Sequence, residues 1–348
     1  MVAQDLYRID QALKSQPDQH LEFLAHKELL SEILELQIRK QALMLGHNYM
    51  SPLVYQLSSE SNRGDSLSLS RIAVQTQHPI IVFNGVRFMA ETVKILNPGK
   101  KVLIADESAG CSLADKFTAE NVREYRRLYP GSPVVTYINS YASVKAESDF
   151  CCTSANALRV VRYAAQEFGV RRVIFLPDTL MAENLENEFE RRAEAIELIY
   201  PGKYDSKRTQ CEVHEQFTAD HLIEVRLQYH MKKSESDCAI LVHWECAPEV
   251  LKEADFYGST SEMGQYIADR PQLRRVYLAT ECEMSANLAT EFPNVEFIRS
   301  CGVHCPHMRK INLLKLRNCL RDETPEVHVD MELATRARQA IDRMLAIL

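Results

Sequence analysis

Glycine is scarce, 11 in 348 residues. The few present build neither a P-loop nor a dinucleotide fingerprint, which excludes nucleotide binding through a glycine-rich cradle. No stretch of about 18 or more consecutive apolar residues occurs, so no membrane span is expected. The start, MVAQDLYRIDQALKSQPDQH, lacks the basic opening and apolar run of a secretory signal. Positive charge is not in excess: 41 basic against 48 acidic residues leave a formal charge of −7. That balance argues against nucleic acid as a partner, but leaves room for a local site that binds a small anion. Without a secretion signal, ten cysteines point to a reducing, cytoplasmic setting in which they are free thiols, metal ligands or catalytic groups. Their positions (111, 151, 152, 211, 238, 246, 282, 301, 305 and 319) match no zinc-finger spacing. His304 and His307 flank Cys305 and with Cys301 imitate a zinc cluster, but no second ligand group stands at the usual distance. His26, His78 and His230 read as surface residues.

What is present is ordinary globular composition, 46% hydrophobic and 26% charged, in a chain long enough for two or three domains. Residues 20–40 and 331–348 carry apolar side chains at helical period and hold no obvious chemistry. Between them, nine short β-rich runs alternate with helical stretches: 41–49, 79–86, 100–107, 133–139, 171–178, 195–202, 238–245, 274–281 and 294–301. Nearly continuous apolar strands separated by helices predict parallel α/β layers.

The nine runs fall into three sets of three, and several markers keep phase across the sets. After the second run of each set comes a related helix start, FMAET (88–92), LMAEN (180–184) and EMSAN (283–287). The first run of each ends in a polar pair two residues apart: His47/Tyr49, Tyr137/Asn139 and His243/Glu245. A hydroxyl cluster follows, with Ser66 in GDSL, Ser154 in CTSAN, and Ser259 and Thr260 in GSTS. Cys111, Cys211 and Cys305 each follow a third run, spaced by 100 and 94. The chain therefore reads as a helical segment at 1–39, α/β repeats at 40–118, 119–222 and 223–320, and a C-terminal helix at 321–348.

Functional groups in open parallel sheets collect at the carboxyl ends of strands. In a strand, an i, i+2 pair shares one face, so each polar pair is expected to act together. Each hydroxyl cluster precedes a helix, where free N–H groups and hydroxyls suit phosphate or carboxylate. A single such cluster is ordinarily an N-cap; three in register favour a shared anion pocket. One phased cysteine per repeat suits a three-thiolate metal site of the iron–sulfur or zinc kind. The remaining seven cysteines read as small core hydrophobes.

At these residues the chain resembles the quinolinate synthase family, iron–sulfur enzymes of NAD biosynthesis also called quinolinate synthetase A. The resembling motifs include LGHNYMSP (45–52), GDSLSLSR (64–71), AGCSLAD (109–115), FLPDTLMAENL (175–185), CEVHEQFT (211–218), TECEMSANL (280–288) and CPHMRKINLLKL (305–316), and the likeness runs from about 40 to 320. The resemblance implies three similar α/β/α units with short parallel sheets around a pseudo-threefold axis. It implies condensation of iminoaspartate with dihydroxyacetone phosphate to quinolinate, phosphate and water, and a functional link to L-aspartate oxidase. It implies a [4Fe-4S] cluster on Cys111, Cys211 and Cys305 with one iron open to substrate. His47, Tyr49, Tyr137, Asn139, His214, His243 and Glu245 would line the substrate site, with Glu245, Tyr49, His214 and Tyr137 as proton-handling groups. Ser66, Ser154, Ser259 and Thr260 would hold phosphate and carboxylates.

The chain departs from the family pattern at Trp244, where His-Pro-Glu is usual, and at Met50, where many members have Gln. If 243–245 is a strand, Trp244 points away from its neighbours. The segment MKKSES (231–236) is expected to lengthen a surface turn. Two other classes share part of this pattern. Hydroxymethylbutenyl diphosphate reductase sets an open-iron cluster among three similar units, and a non-enzymatic iron–sulfur sensor would need the thiols without the strand-end pairs.

Overall fold

The computed structural model describes residues 1–299 and 302–347. Cys301, one of the cysteines read as core, lies outside the described residues. Among the described residues twelve strands are formed: β1 (Ala42–His47), β2 (Arg63–Gly64), β3 (Ile80–Asn84), β4 (Lys101–Leu103), β5 (Val134–Tyr137), β6 (Phe150–Cys152), β7 (Arg172–Leu176), β8 (Glu197–Ile199), β9 (Cys238–His243), β10 (Phe256–Gly258), β11 (Arg275–Ala279) and β12 (Glu296–Ile298). They make three four-stranded sheets with one repeated strand order: β2–β1–β3–β4, β6–β5–β7–β8 and β10–β9–β11–β12. The protein is α/β, with three parallel sheets in three similar units. Nine strands coincide with the apolar runs read from the sequence. The other three, β2, β6 and β10, are two or three residues long, and each leads into a hydroxyl cluster.

The chain divides into two compact units. The first comprises Met1–Gly110, Ser236–Cys238 and Gly264–His328. Its sheet is parallel, with Ala42 opposite Ile80 and Ile80 opposite Lys101. Every residue of β1 and β3 is buried, as expected of parallel strands covered on both faces. Helix Pro17–Arg39 begins with proline in its first turn, where the missing N–H costs nothing. Helix Leu313–Asp322 packs against it.

The second unit comprises Cys111–Glu235, Ala239–Met263 and Val329–Leu348. Beside β5 and β7, Phe117, Val122, Tyr125, Val134, Val144, Ile174, Leu176 and Ile199 form one buried cluster. Removing a branched side chain there leaves a void the neighbours cannot fill. Ile174→Ala should therefore lower unfolding free energy by about 2–5 kcal/mol, read by denaturant titration. Helix Met331–Ala346 is capped by Asp330, whose carboxylate accepts the N–H groups of Glu332 and Leu333. It turns Ala337, Ala340, Ile341 and Met344 inward and packs on β6. Met231 is buried and residues 232–237 are exposed, so the lengthened turn lies at the surface. Among the described residues no helix is long and apolar enough to cross a membrane.

Candidate functional site

In the second unit, β5 ends at Tyr137 and β9 ends at His243. The second member of each polar pair, Asn139 or Glu245, lies beyond the strand, where the backbone has already turned. This corrects the strand-face argument: the backbone turn, and not the pleat, brings Glu245 back to His243. The Glu245 N–H donates to His243 Nδ1 at 3.4 Å. Glu245 Oε2 lies 3.2 Å from His243 Nδ1 and 3.2 Å from His214 Nδ1. The two imidazoles stack with centroids 4.6 Å apart. The other carboxylate oxygen accepts a hydrogen bond from Asn139 Nδ2 at 3.3 Å. His214, His243 and Glu245 are each under 5% exposed. Three sequence-predicted site residues, Asn139, His214 and His243, thus meet around the buried carboxylate of a fourth, Glu245.

A buried carboxylate is costly unless its oxygens are paired. Burial pushes the Glu245 carboxyl up, but the neighbouring His214 and His243 imidazoles outweigh it and hold it well below its ordinary value. Burial and the neighbouring His214 lower His243, favouring its neutral form. Asp178, which the sequence reading passed over, faces this group. It caps helix Thr179–Arg191, with Oδ1 accepting the Met181 N–H at 2.7 Å. Its carboxyl is also met by the Cys211 amide, and burial together with the Glu245 charge holds it well above the usual carboxylate range. Ligand atoms of Cys211, His214 and Glu245 all lie within 4.8 Å of one another.

In the first unit, His47 ends β1 and Tyr49 follows in the turn. The Tyr49 N–H donates to His47 Nδ1 at 3.2 Å, and the rings meet edge-on with centroids 5.0 Å apart. The Tyr49 hydroxyl bonds Thr280 Oγ1 at 2.5 Å, just past β11. Glu281, fully buried, accepts the Cys305 N–H at 3.3 Å and the Glu283 N–H at 2.7 Å. Burial and then the Glu283 charge push its carboxyl up to about 8. Glu281 and Asp178 both stand three residues before their repeat's methionine, and Val86 takes the same place in the first repeat. That register is the sequence signal that would have found the two carboxylates.

The thiols separate cleanly. Among the described cysteines, Cys111, Cys211 and Cys305 are half-buried, and the other six are buried. Burial pushes Cys151 and Cys319 up to about 12, which leaves them inert near neutral pH. Each phased cysteine sits on a strap docked in one way, by a bond to the carbonyl two residues ahead of it: Arg87 N–H to Ala109, Thr179 N–H to Thr209 and Cys282 N–H to Val303. Burial raises the Cys211 thiol, and the charges of Glu245 and Cys111 raise it further. In the second unit, Cys111 and Cys211, both half-buried and close enough to repel as thiolates, fit donors for a thiophilic metal centre.

The hydroxyl clusters differ in detail. Ser66 and Thr260 are the first residues of helices Ser66–Gln75 and Thr260–Ala268. Asp65 caps the former, accepting the Ser68 N–H. Ser259 caps the latter: its Oγ accepts the Glu262 N–H at 3.2 Å while Glu262 returns a carboxylate to the Ser259 N–H at 2.7 Å. Ser154 is half-buried, ahead of helix Ala157–Phe168. Trp244 is 7% exposed, its ring edge-on to Tyr257 at 5.0 Å, and Met50 is fully buried.

Three parallel sheets of one topology, with polar residues at strand ends and one half-buried thiol in phase in each repeat, define a repeated α/β protein. The chain matches the family model described as NadA, quinolinate synthetase A protein, over residues 31–346, and belongs to that family. It is 45% identical over 326 residues to quinolinate synthase of Agrobacterium fabrum, covering 94% of this chain and 88% of that one. Quinolinate synthase 1 of Mesorhizobium japonicum is 45% identical over 327 residues, 94% of each chain. Quinolinate synthase of Xylella fastidiosa is 43% identical over 318 residues, 91% of this chain and 87% of that one.

Proposed function

We propose that this chain is a quinolinate synthase, condensing iminoaspartate with dihydroxyacetone phosphate to quinolinate, phosphate and water in de novo NAD biosynthesis. The observation that carries the reading is that the only half-buried thiols among the described residues are the three that recur in phase. Cys111, Cys211 and Cys305 would hold a [4Fe-4S] cluster in the cytoplasm, where such thiols stay reduced. When bound, such a cluster supplies a Lewis acid for a substrate oxygen. The paired carboxylate Glu245, with His214 beside it, takes or returns a proton during dehydration. Tyr49 and Tyr137 offer phenol protons, while His47, Asn139 and His243 orient the substrate carboxylates. Ser66, Ser154, Ser259 and Thr260 bind phosphate and carboxylate at helix starts. Holding both reactants together lowers the entropic cost of condensation. The same reading carries a functional link to L-aspartate oxidase as the source of iminoaspartate. Repeats at 40–118, 119–222 and 223–320 are supported by the shared strand order.

Quinolinate formation from the two substrates under argon tests the reading. Absence of product, or reduction of an allylic diphosphate instead, would replace it. The hydroxyls give a second test. Ser154→Ala or Thr260→Ala should weaken dihydroxyacetone phosphate by roughly 1.5–3 kcal/mol, one charge-assisted hydrogen bond, without altering iron content. Unchanged KM in both would reduce these residues to helix-start positions.

A further inference from the structure

Two of the three phased helix starts carry an asparagine three residues after the repeated methionine: Asn184 in LMAEN and Asn287 in EMSAN. Both are buried, at 4% and 1% exposure. In the second unit, Asn184 Nδ2 donates to the Trp244 carbonyl at 2.8 Å and the Cys246 carbonyl at 2.7 Å. In the first unit, Asn287 Nδ2 donates to the Asn48 carbonyl at 2.9 Å and the Met50 carbonyl at 2.8 Å. Each amide spends its two hydrogens on two carbonyls that flank one residue. That residue is Glu245 in one unit and Tyr49 in the other. The first repeat has Thr92 in this place, and its hydroxyl bonds Phe88 O in its own helix.

We propose that Asn184 and Asn287 are positioning residues that fix the turns presenting Glu245 and Tyr49, each by clamping the carbonyls on either side. The catalytic consequence rests on the proposed function; the clamp itself does not. A chain leaving a strand loses its ladder partners, and its buried carbonyls need donors from elsewhere. The donor here comes from a helix anchored by Met181 and Leu185, or by Met284 and Leu288, all buried. Fixing both neighbouring carbonyls fixes the backbone of the residue between them, and so the direction of its side chain. For Glu245 that direction is what sets Oε2 at 3.2 Å from both imidazoles. Serine and threonine have one donor, aspartate has none, and glutamine is one methylene too long. The requirement explains asparagine at both positions. In the turn after β5, Lys145, fully buried, donates to the Ser140 carbonyl by another route.

The test uses the full-length, anaerobically loaded protein and reads amide hydrogen exchange together with turnover. Asn184→Ala should speed exchange in the segment 244–249 by roughly tenfold, since local opening sets that rate, and leave 48–53 unchanged. Asn287→Ala should do the reverse. Asn184→Ala should lower kcat at saturating substrate with iron content retained, and should add nothing to the loss in Glu245→Gln. Asn184→Ser, which keeps one donor, should fall between, and serves if the alanine variant does not fold. Exchange within twofold of wild type in the clamped segment would overturn the proposal. So would an equal rise along all of β9, or faster exchange with unchanged kcat. If the wild-type protein does not condense the two substrates, the proposed function falls, and the exchange pattern alone decides the clamp.

Discussion

Cys111→Ala, Cys211→Ala and Cys305→Ala should each strip the anaerobically prepared protein of its iron, while Cys246→Ala and Cys319→Ala keep it. A cubane reading sets the wild-type content at about four irons per chain. The contrast is drawn from exposure and register together. Cys246 stands next to Glu245 in sequence, but its thiol is fully buried, and burial and the Glu245 charge push it well above its ordinary value. The Cys211 thiol is raised as well, so exposure and register, and not ease of ionisation, set the phased three apart. Cys319 lies inside helix Leu313–Asp322. The phased three are half-buried, on straps whose backbones are docked in the same register. Losing one of three thiolates should empty the site without unfolding the sheets, so circular dichroism should hardly change while the visible absorption disappears. Iron lost from Cys246→Ala but kept in Cys211→Ala would break the assignment.

The sequence carried most of the frame because parallel strands buried on both faces are written as unbroken apolar runs, as ALMLGH and CAILVH are. It could not carry β2, β6 and β10, which, as at Arg63–Gly64, lie in no apolar run longer than themselves. The polar pairs were visible as spacing, yet the strand-face reasoning misplaced the backbone: Tyr49 and Glu245 meet their histidines through a turn closed on imidazole Nδ1. His214 came from the family likeness alone. Its approach to Glu245 depends on a 3-10 turn, His214–Gln216, whose position no local pattern encodes. Asp178 and Glu281 went unread because their surroundings, FLPD and ATE, look unrelated until set by the repeated methionine. Asn184 and Asn287 were in plain view as repeat markers, but a marker reveals its donor's target only once the turns of the other segment are in place.

Glu245→Gln should give a folded, iron-loaded protein whose turnover falls by about 10²-fold or more, the usual scale of general acid–base catalysis. Glutamine keeps the length and one carbonyl oxygen, so the contact with Asn139 survives. It removes the negative charge that two imidazoles now face at 3.2 Å. The wild-type carboxyl is held well below its ordinary value by those imidazoles, so it is an anion throughout the neutral range. In the proposed reaction its histidine partners would carry on the proton it takes up. A purely positioning carboxylate would behave differently. Its amide would still hold substrate, kcat would stay near wild type, and the damage would fall on KM. Measuring both parameters at saturating concentrations of each substrate separates the two roles. Unchanged kcat with raised KM would move Glu245 from proton transfer to substrate binding, and would leave His214 and Tyr49 to carry the proton.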